Sequence, residues 1–131
     1  MIVVDTNILA YLYLPGEHTA RAETLYKRDS AWAVPVLWRS EFRNILAGYL
    51  RRDQMTHEQA LALMAEAEAL VAGYEYEVAS RDVIGLVQDS DCSAYDCEFV
   101  ALAQSLGVAL VTADAQILKA FPRTAVPLDS R

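Results

Sequence analysis

A three-layer α/β/α fold around a mainly parallel central sheet is what this sequence predicts. Two observations carry that expectation: short, wholly apolar runs that read as buried strands, and intervening stretches whose apolar residues recur with a helical period. Strands separated by helices point to a mainly parallel sheet with helices on both faces. Ile2 to Val4 is the first apolar run, followed by helical patterns over 7–13 and 18–29, with the Pro15-Gly16 pair marking a turn and a mobile rim loop at 14–17. Trp32 to Pro35 reads as a strand, and helical periodicity resumes over 36–52 and 57–72. Tyr74 to Val78 is the next strand, then helices over 81–89 and 93–106. Val108 to Val111, bounded by Gly107 and by Thr112-Ala113-Asp114, is a second clear buried run. A helix over 115–120 and a closing edge strand, Ala125 to Pro127, complete the order; an edge is where a strand tolerates proline.

The 131 residues fit one domain, 1–131, long enough to bury roughly two thirds of the unfolded surface without staples. Apolar residues make up 54% of the chain, as expected of a compact globule rather than a disordered tail. The N-terminal apolar run ends at Asp5 without a basic leader, and no stretch approaches the ~20 apolar residues of a membrane span, so a cytoplasmic protein is expected. Cys92 and Cys97 lack the spacing of a zinc knuckle or a redox pair, and His18 and His57 are isolated in polar contexts. The net charge of −7 argues against a bare phosphate-binding surface. It leaves open a nucleic-acid enzyme whose carboxylates hold a cation and so present positive charge to a phosphodiester.

Four acids depart from the pattern. Glu41 falls inside the apolar stripe of Leu37, Trp38, Phe42, Ile45, Leu46 and Tyr49. Asp96 falls inside that of Tyr95, Phe99, Val100, Ala103 and Leu106, while Asp5 and Asp114 each follow an apolar strand. An unpaired buried carboxylate costs several kcal/mol, on the order of the stability of a small domain, so each needs a reason. Asp5 and Asp114 could cap the helices that follow them, and Asp96, three residues after Ser93, could complete a capping box. Glu41 lies beyond the first turn after Pro35, with Arg39 and Arg43 projecting from other faces. The alternative to four separate structural roles is one cleft at the carboxyl ends of the strands, where open α/β sheets bind ligands.

The order of these pieces resembles the PIN-domain ribonucleases, and among them the VapC-type toxins of toxin–antitoxin pairs, over essentially the whole chain. The matching pieces are the strand opening into Asp5-Thr6-Asn7, Arg39-Ser40-Glu41-Phe42, Ser93-Ala94-Tyr95-Asp96 leading into Val100-Ala101-Leu102-Ala103, and Leu110-Val111-Thr112-Ala113-Asp114. The resemblance implies a three-layer PIN-like fold. It also implies a catalytic and metal-binding site of Asp5, Glu41, Asp96 and Asp114, with Asn7 and Thr112 as supporting polar residues. An RNA substrate, a cognate antitoxin and a homodimer are further implications. Some family members carry another acid shortly after the one matching Asp114, where this chain has Gln116, Ile117 and Leu118.

Clustered carboxylates repel: two unit charges 4 Å apart do so by about 4 kcal/mol at an effective dielectric near 20. An all-oxygen donor set suits Mg²⁺ or Mn²⁺ and not zinc. Among the basic residues Lys27, Arg28, Arg39, Arg43, Arg51 and Arg52, the two flanking Glu41, Arg39 and Arg43, are the candidates to meet a substrate phosphate. The stripe of Leu61, Met64, Leu70 and Val71 reads as core rather than as a dimer surface. Two competing readings are a catalytically silent PIN-fold module that binds RNA or protein, and an acyl-phosphate enzyme with Asp5 as nucleophile. The second is disfavoured because Asn7 stands where its second acid belongs.

Overall fold

Five strands form one sheet in the computed structural model, which describes residues 1–130: β1 (Ile2–Val4), β2 (Trp32–Pro35), β3 (Glu75–Tyr76), β4 (Leu110–Thr112) and β5 (Ala125–Pro127). Their order is β3-β2-β1-β4-β5 and every pairing is parallel, which sharpens the expectation of a mainly parallel sheet. Seven helices among the described residues connect them: α1 (Thr6–Tyr13), α2 (Thr19–Arg28), α3 (Trp38–Arg51), α4 (His57–Leu70), α5 (Ser80–Gln88), α6 (Ala94–Leu106) and α7 (Ala115–Ala120). A short 3₁₀ turn, Leu128–Ser130, follows β5.

The chain steps outward from β1 to β3, returns across the sheet to β4, and steps outward the other way to β5. Right-handed crossovers then put α1 to α4 on one face and α5 to α7 on the other. Contacts of α1 with α2, α3 and α4, and of α5 with α6, agree with that division. The reversal occurs between β1 and β4, and such a switch point opens a crevice at the carboxyl ends of the two strands.

Several element ends differ from the periodicity, each for a hydrogen-bonding reason. The third helix starts at Trp38 because the Val36 N–H still donates to Tyr76 O (3.0 Å) and belongs to the sheet. The last strand before α7 begins at Leu110 and not at Val108, because the Val108 N–H donates back to Ala103 O (3.0 Å) to close α6. Gly107 makes that closure in the left-handed region (φ 68°), where a side chain would be strained. The start of α4 is fixed by a capping box in which Thr56 and Gln59 bond each other's backbone N–H.

Ile2, Val3, Val4, Trp32, Ala33, Val34, Leu110 and Val111 fill the centre of the sheet. Trp38, Phe42 and Leu46 of α3 and Phe99, Val100 and Ala103 of α6 are also buried, with the Trp38 and Phe42 rings edge to face at 5.7 Å. Two expected core residues lie outside. Tyr95, in the first turn of α6, is 63% exposed, because the inward positions are taken by Cys97, Phe99, Val100 and Ala101. Leu61 is 58% exposed, because α4 turns the small face of Ala60 and Ala67 to the core. The 14–17 turn is tied down: the Thr19 hydroxyl donates to Tyr11 O (2.8 Å) and accepts from the Gly16 N–H (3.0 Å). No helix among the described residues is long and apolar enough to cross a membrane.

Candidate active site

The β1–β4 switch point is where the acids gather. Val4 pairs with Val111, so the next residues, Asp5 and Thr112, lie level across the two strand ends. The Asp5 N–H continues the ladder to Val111 O (3.0 Å). Its side chain is buried and both oxygens are engaged: Oδ1 accepts from the Thr6 N–H (2.7 Å) and Oδ2 from the Thr112 hydroxyl (2.7 Å). Thr112, fully buried, also accepts from the Asp114 N–H (3.0 Å), so one hydroxyl links the two strand ends. Asp114 caps α7, with Oδ1 accepting from the N–H groups of Gln116 (2.8 Å) and Ile117 (3.1 Å).

Glu41 is half-buried on α3, with Oε1 accepting from the Thr6 hydroxyl at 2.6 Å. Asp96 is half-buried at the start of α6, its N–H donating to the Ser93 side chain (3.1 Å). The capping readings of Asp5 and Asp114 thus hold, and Ser93 caps α6; each cap also fixes where a carboxylate stands in the crevice.

Electrostatic opposition ties the acids together. Burial raises the Asp5 carboxyl above its ordinary range, the bonds from Thr112 and Thr6 oppose that, and the charges of Asp96 and Asp114 raise it further. Glu41 is raised by burial, lowered by its bond from Thr6, and raised again by Asp5, Asp96 and Glu98. Burial first and Asp114 second raise Asp96. Each of the three therefore feels at least one other member. The donors are all carboxylate oxygens, whose repulsion a hard divalent cation would relieve, so Asp5, Glu41, Asp96 and Asp114 are the residues that could hold Mg²⁺ or Mn²⁺. Among the described residues no group of three or more His, Cys, Asp or Glu side chains is arranged to hold a metal ion.

Other expected site residues fall differently. The adjacent hydroxyl of Thr6 reaches a carboxylate, whereas Asn7 is exposed and lines a groove between α1 and α3 with Tyr11, Ile45 and Tyr49. A Thr6→Val substitution is expected to weaken Mg²⁺ binding about tenfold or more, the usual effect of losing a bond that orients a ligand, with little change of fold. Isothermal titration with Mg²⁺ checks this, and unchanged affinity would refute the orienting role.

Arg39 faces away from the crevice. Its Nε and Nη2 donate to Glu75 Oε2 and Oε1 (both 2.7 Å) and its Nη1 to Glu68 Oε2 (2.6 Å), while Trp38 Nε1 also donates to Glu75 Oε2 (2.6 Å). The expected phosphate-binding arginine is thus a strut joining α3 to α4 and β3, which leaves exposed Arg43 as the basic candidate beside Glu41. The Arg39 guanidinium holds the Glu75 carboxyl below its usual 4.5, so the pair stabilises the fold above that pH and loses its effect as pH falls through the lowered value. An Arg39→Met variant should therefore melt several degrees below the parent at pH 7, with the gap closing in acid. A pH series of melting curves tests it, and a gap independent of pH would refute it.

Glu98, two residues beyond Asp96, escaped the sequence reading because it sits outside the expected apolar stripe, yet its charge reaches Glu41. Where the resemblance implies a further acid, the Gln116 side chain donates to Asp91 O (2.9 Å) and Ile117 is buried in the core. Cys92 and Cys97 are buried free thiols.

The chain matches the PIN domain over residues 2–125. Ribonuclease VapC3 of Pyrobaculum aerophilum is 28% identical over 130 residues, a match spanning 96% of this chain and 98% of that one. Among solved structures, PAE2754 of Pyrobaculum aerophilum gives a TM-score of 0.74 at 20% identity, covering 98% of this chain and 91% of that one. A toxin–antitoxin complex from Klebsiella pneumoniae gives 0.69 at 16% identity, with 98% of each chain covered. FitAcB from Neisseria gonorrhoeae gives 0.74 at 15% identity over the full length of both. At these identities the structural likeness is one of fold, and it agrees with the parallel five-stranded sheet and its flanking helices.

Proposed function

This chain belongs to the PIN-domain family, and from that premise we propose that it is a metal-dependent endoribonuclease, the toxin of a type II toxin–antitoxin pair. The observation that carries the reading is the mutual opposition of Asp5, Glu41 and Asp96 at the sheet's switch point, with Asp114 adding to it. A silent binding module gives no reason to hold repelling carboxylates together. The likeness to a protein named Ribonuclease VapC3 supports RNA as substrate, and the likeness to a toxin–antitoxin complex supports a cognate antitoxin as partner. A homodimer and a cytoplasmic location complete the proposal.

Asp5, Glu41, Asp96 and Asp114 would hold Mg²⁺ or Mn²⁺, which supplies charge stabilisation at phosphoryl oxygens and a bound water of lowered pKa. The Thr112 hydroxyl keeps Asp5 and Asp114 in fixed relation, and the Thr6 hydroxyl orients Glu41 toward the same crevice. Arg43, exposed two positions from Glu41, would be the basic side chain for a phosphate of the strand. Water is the nucleophile: its oxygen joins phosphorus as the bond to the 3′-oxygen breaks. The products are a 5′-phosphate and a 3′-hydroxyl, and no side chain forms a covalent intermediate.

The deciding experiment is cleavage of single-stranded RNA by the purified protein with Mg²⁺ or Mn²⁺ and with EDTA. Cleavage that requires the metal and leaves 5′-phosphate ends is expected, and activity undiminished by EDTA would overturn the reading.

A further inference from the structure

A groove of about 340 Å³ runs down the seam between α1 and α3, with Asn7, Tyr11, Leu14, His18, Ile45 and Tyr49 in its walls. It begins at the acids. The two helices pack together, and at their starts the Thr6 hydroxyl of one meets Glu41 of the other at 2.6 Å. Four residues further along each, Ala10 and Ile45 line the groove, and four beyond those, Leu14 and Tyr49 do. Steps of four stay on one helix face, so both walls continue the faces that meet at Glu41 and lead about 12 Å away from it. The far end carries a cation: the Arg52 guanidinium lies over the Tyr49 ring, 5.1 Å from its centroid. Its Nε donates to Gln54 Oε1 (3.1 Å), while its two Nη groups donate to nothing among the described residues. Gly48 makes room for it, since a Cβ there would stand 3.1 Å from Arg52 Nη1, and glycine in mid-helix is otherwise unfavourable.

We propose that this groove is the track on which a single strand of RNA leaves the acids, with the rings of Tyr11 and Tyr49 for its bases and the Arg52 guanidinium for one of its phosphates. The inference rests on the ribonuclease reading and adds to it how the strand is held away from the scissile bond. Charge favours this occupant over an apolar segment of a protein partner. Residues 19–52 hold seven of the chain's eleven Lys and Arg against three acids, although the whole chain carries −7. On α3 Arg43 and Arg51, and Arg52 at its end, are exposed, and Glu41 is the only acid of that helix. Glu17, the one acid in the groove wall, lies 3.4 Å from His18 Nε2. A guanidinium stacked on a ring keeps its N–H edge free for a phosphate, and ring faces stack any unpaired base. The His18 ring backs Tyr11, with centroids 4.5 Å apart. An apolar segment laid in the groove would instead cover the free Nη groups with nothing to accept from them.

Fluorescence anisotropy of a labelled ten-nucleotide RNA, measured with the full chain in EDTA and again with Ca²⁺, tests the track. The single strand is expected to bind, and the same sequence as a duplex, whose bases are already stacked on one another, about tenfold more weakly. Tyr49→Leu and Arg52→Gln should each weaken single-strand binding about tenfold, the scale of one lost stacked base or charged contact. Arg52→Gln should also lower the slope of log affinity against log salt by about 0.7, the share of one phosphate. Gly48→Ala favours the helix while displacing the guanidinium, so it should weaken binding without lowering the melting temperature. Arg81→Gln, an exposed cation on α5 of the other face, should change nothing. Equal losses from Arg81→Gln and Arg52→Gln, or parent affinity in both Arg52→Gln and Gly48→Ala, would overturn the track. Cleavage assays of the same variants keep the two readings apart. Metal-dependent cleavage at the parent's KM in Arg52→Gln and Gly48→Ala refutes the track alone. RNA bound through the groove and never cut refutes the ribonuclease and leaves the track standing.

Discussion

Asp96→Asn is expected to reduce RNA cleavage by about 10²- to 10³-fold, the scale of losing one preorganised electrostatic group, while leaving the metal-free protein as stable as the parent or more so. The second half of that expectation separates a site residue from a structural one. Ser93, not Asp96, supplies the side chain that caps α6, so Asn at 96 keeps the cap. The lost helix-dipole interaction of an acid in the first turn costs about 0.3–1 kcal/mol. Against it stands relief of the burial and of the Asp114 repulsion that raise this carboxyl. Cleavage rates measured beside melting curves in EDTA check both halves. A variant whose activity falls only as far as its melting temperature would make Asp96 structural. Asp114 is the useful contrast: its carboxylate caps α7 through two N–H groups, so removal of the side chain by Ala should cost about 1 kcal/mol as well as activity.

Mg²⁺ should raise the melting temperature far more at pH 7 than at pH 4. Asp5, Glu41 and Asp96 all have folded-state pKa values raised above the ordinary 3.8 or 4.5. Their favourable contribution is therefore fully present below those ordinary values and is lost as pH rises through the raised ones. At neutral pH the metal-free fold carries the whole repulsion. A cation bound there at 100 times its dissociation constant adds about 2.7 kcal/mol, and protonation of its ligands in acid removes that increment. The Arg39–Glu75 pair acts in the opposite direction, stabilising above the lowered pKa of Glu75, so the readout is the difference between melting curves with Mg²⁺ and with EDTA at each pH. An increment equal at both pH values, or preserved in Asp5→Asn, would place any bound ion elsewhere.

Much of this was legible in the chain because burial leaves a pattern. Val3-Val4-Asp5 and Val111-Thr112-Ala113-Asp114 place acids at strand ends, and strand ends in a parallel sheet are where ligands bind. Glu41 interrupts an apolar stripe and is half-buried as that interruption implies. The misreadings share another cause, in that they turned on partners distant in sequence. Arg39 stands two positions from Glu41, yet its guanidinium is claimed by Glu75 and Glu68, which only folding brings near. Thr6 and Asn7 are adjacent polar residues, and the folded chain buries the first and leaves the second exposed. Leu61 and Tyr95 carried the right period but lie where the core has no space left for them.

The Thr112 hydroxyl has a consequence of its own. It accepts from the Asp114 N–H and donates its own O–H to Asp5 Oδ2, so every donor in that chain points one way, from β4 toward β1. Aligned bonds of this kind polarise one another. Charge drawn from Asp5 is thereby felt at the peptide group that leads into α7, and the two strand ends answer a ligand as a single polarisable unit. Serine at 112 would preserve that directionality, whereas valine, of the same shape, would break the bonded path and leave the strand ends joined by the backbone ladder and the repulsion between Asp114 and Asp5.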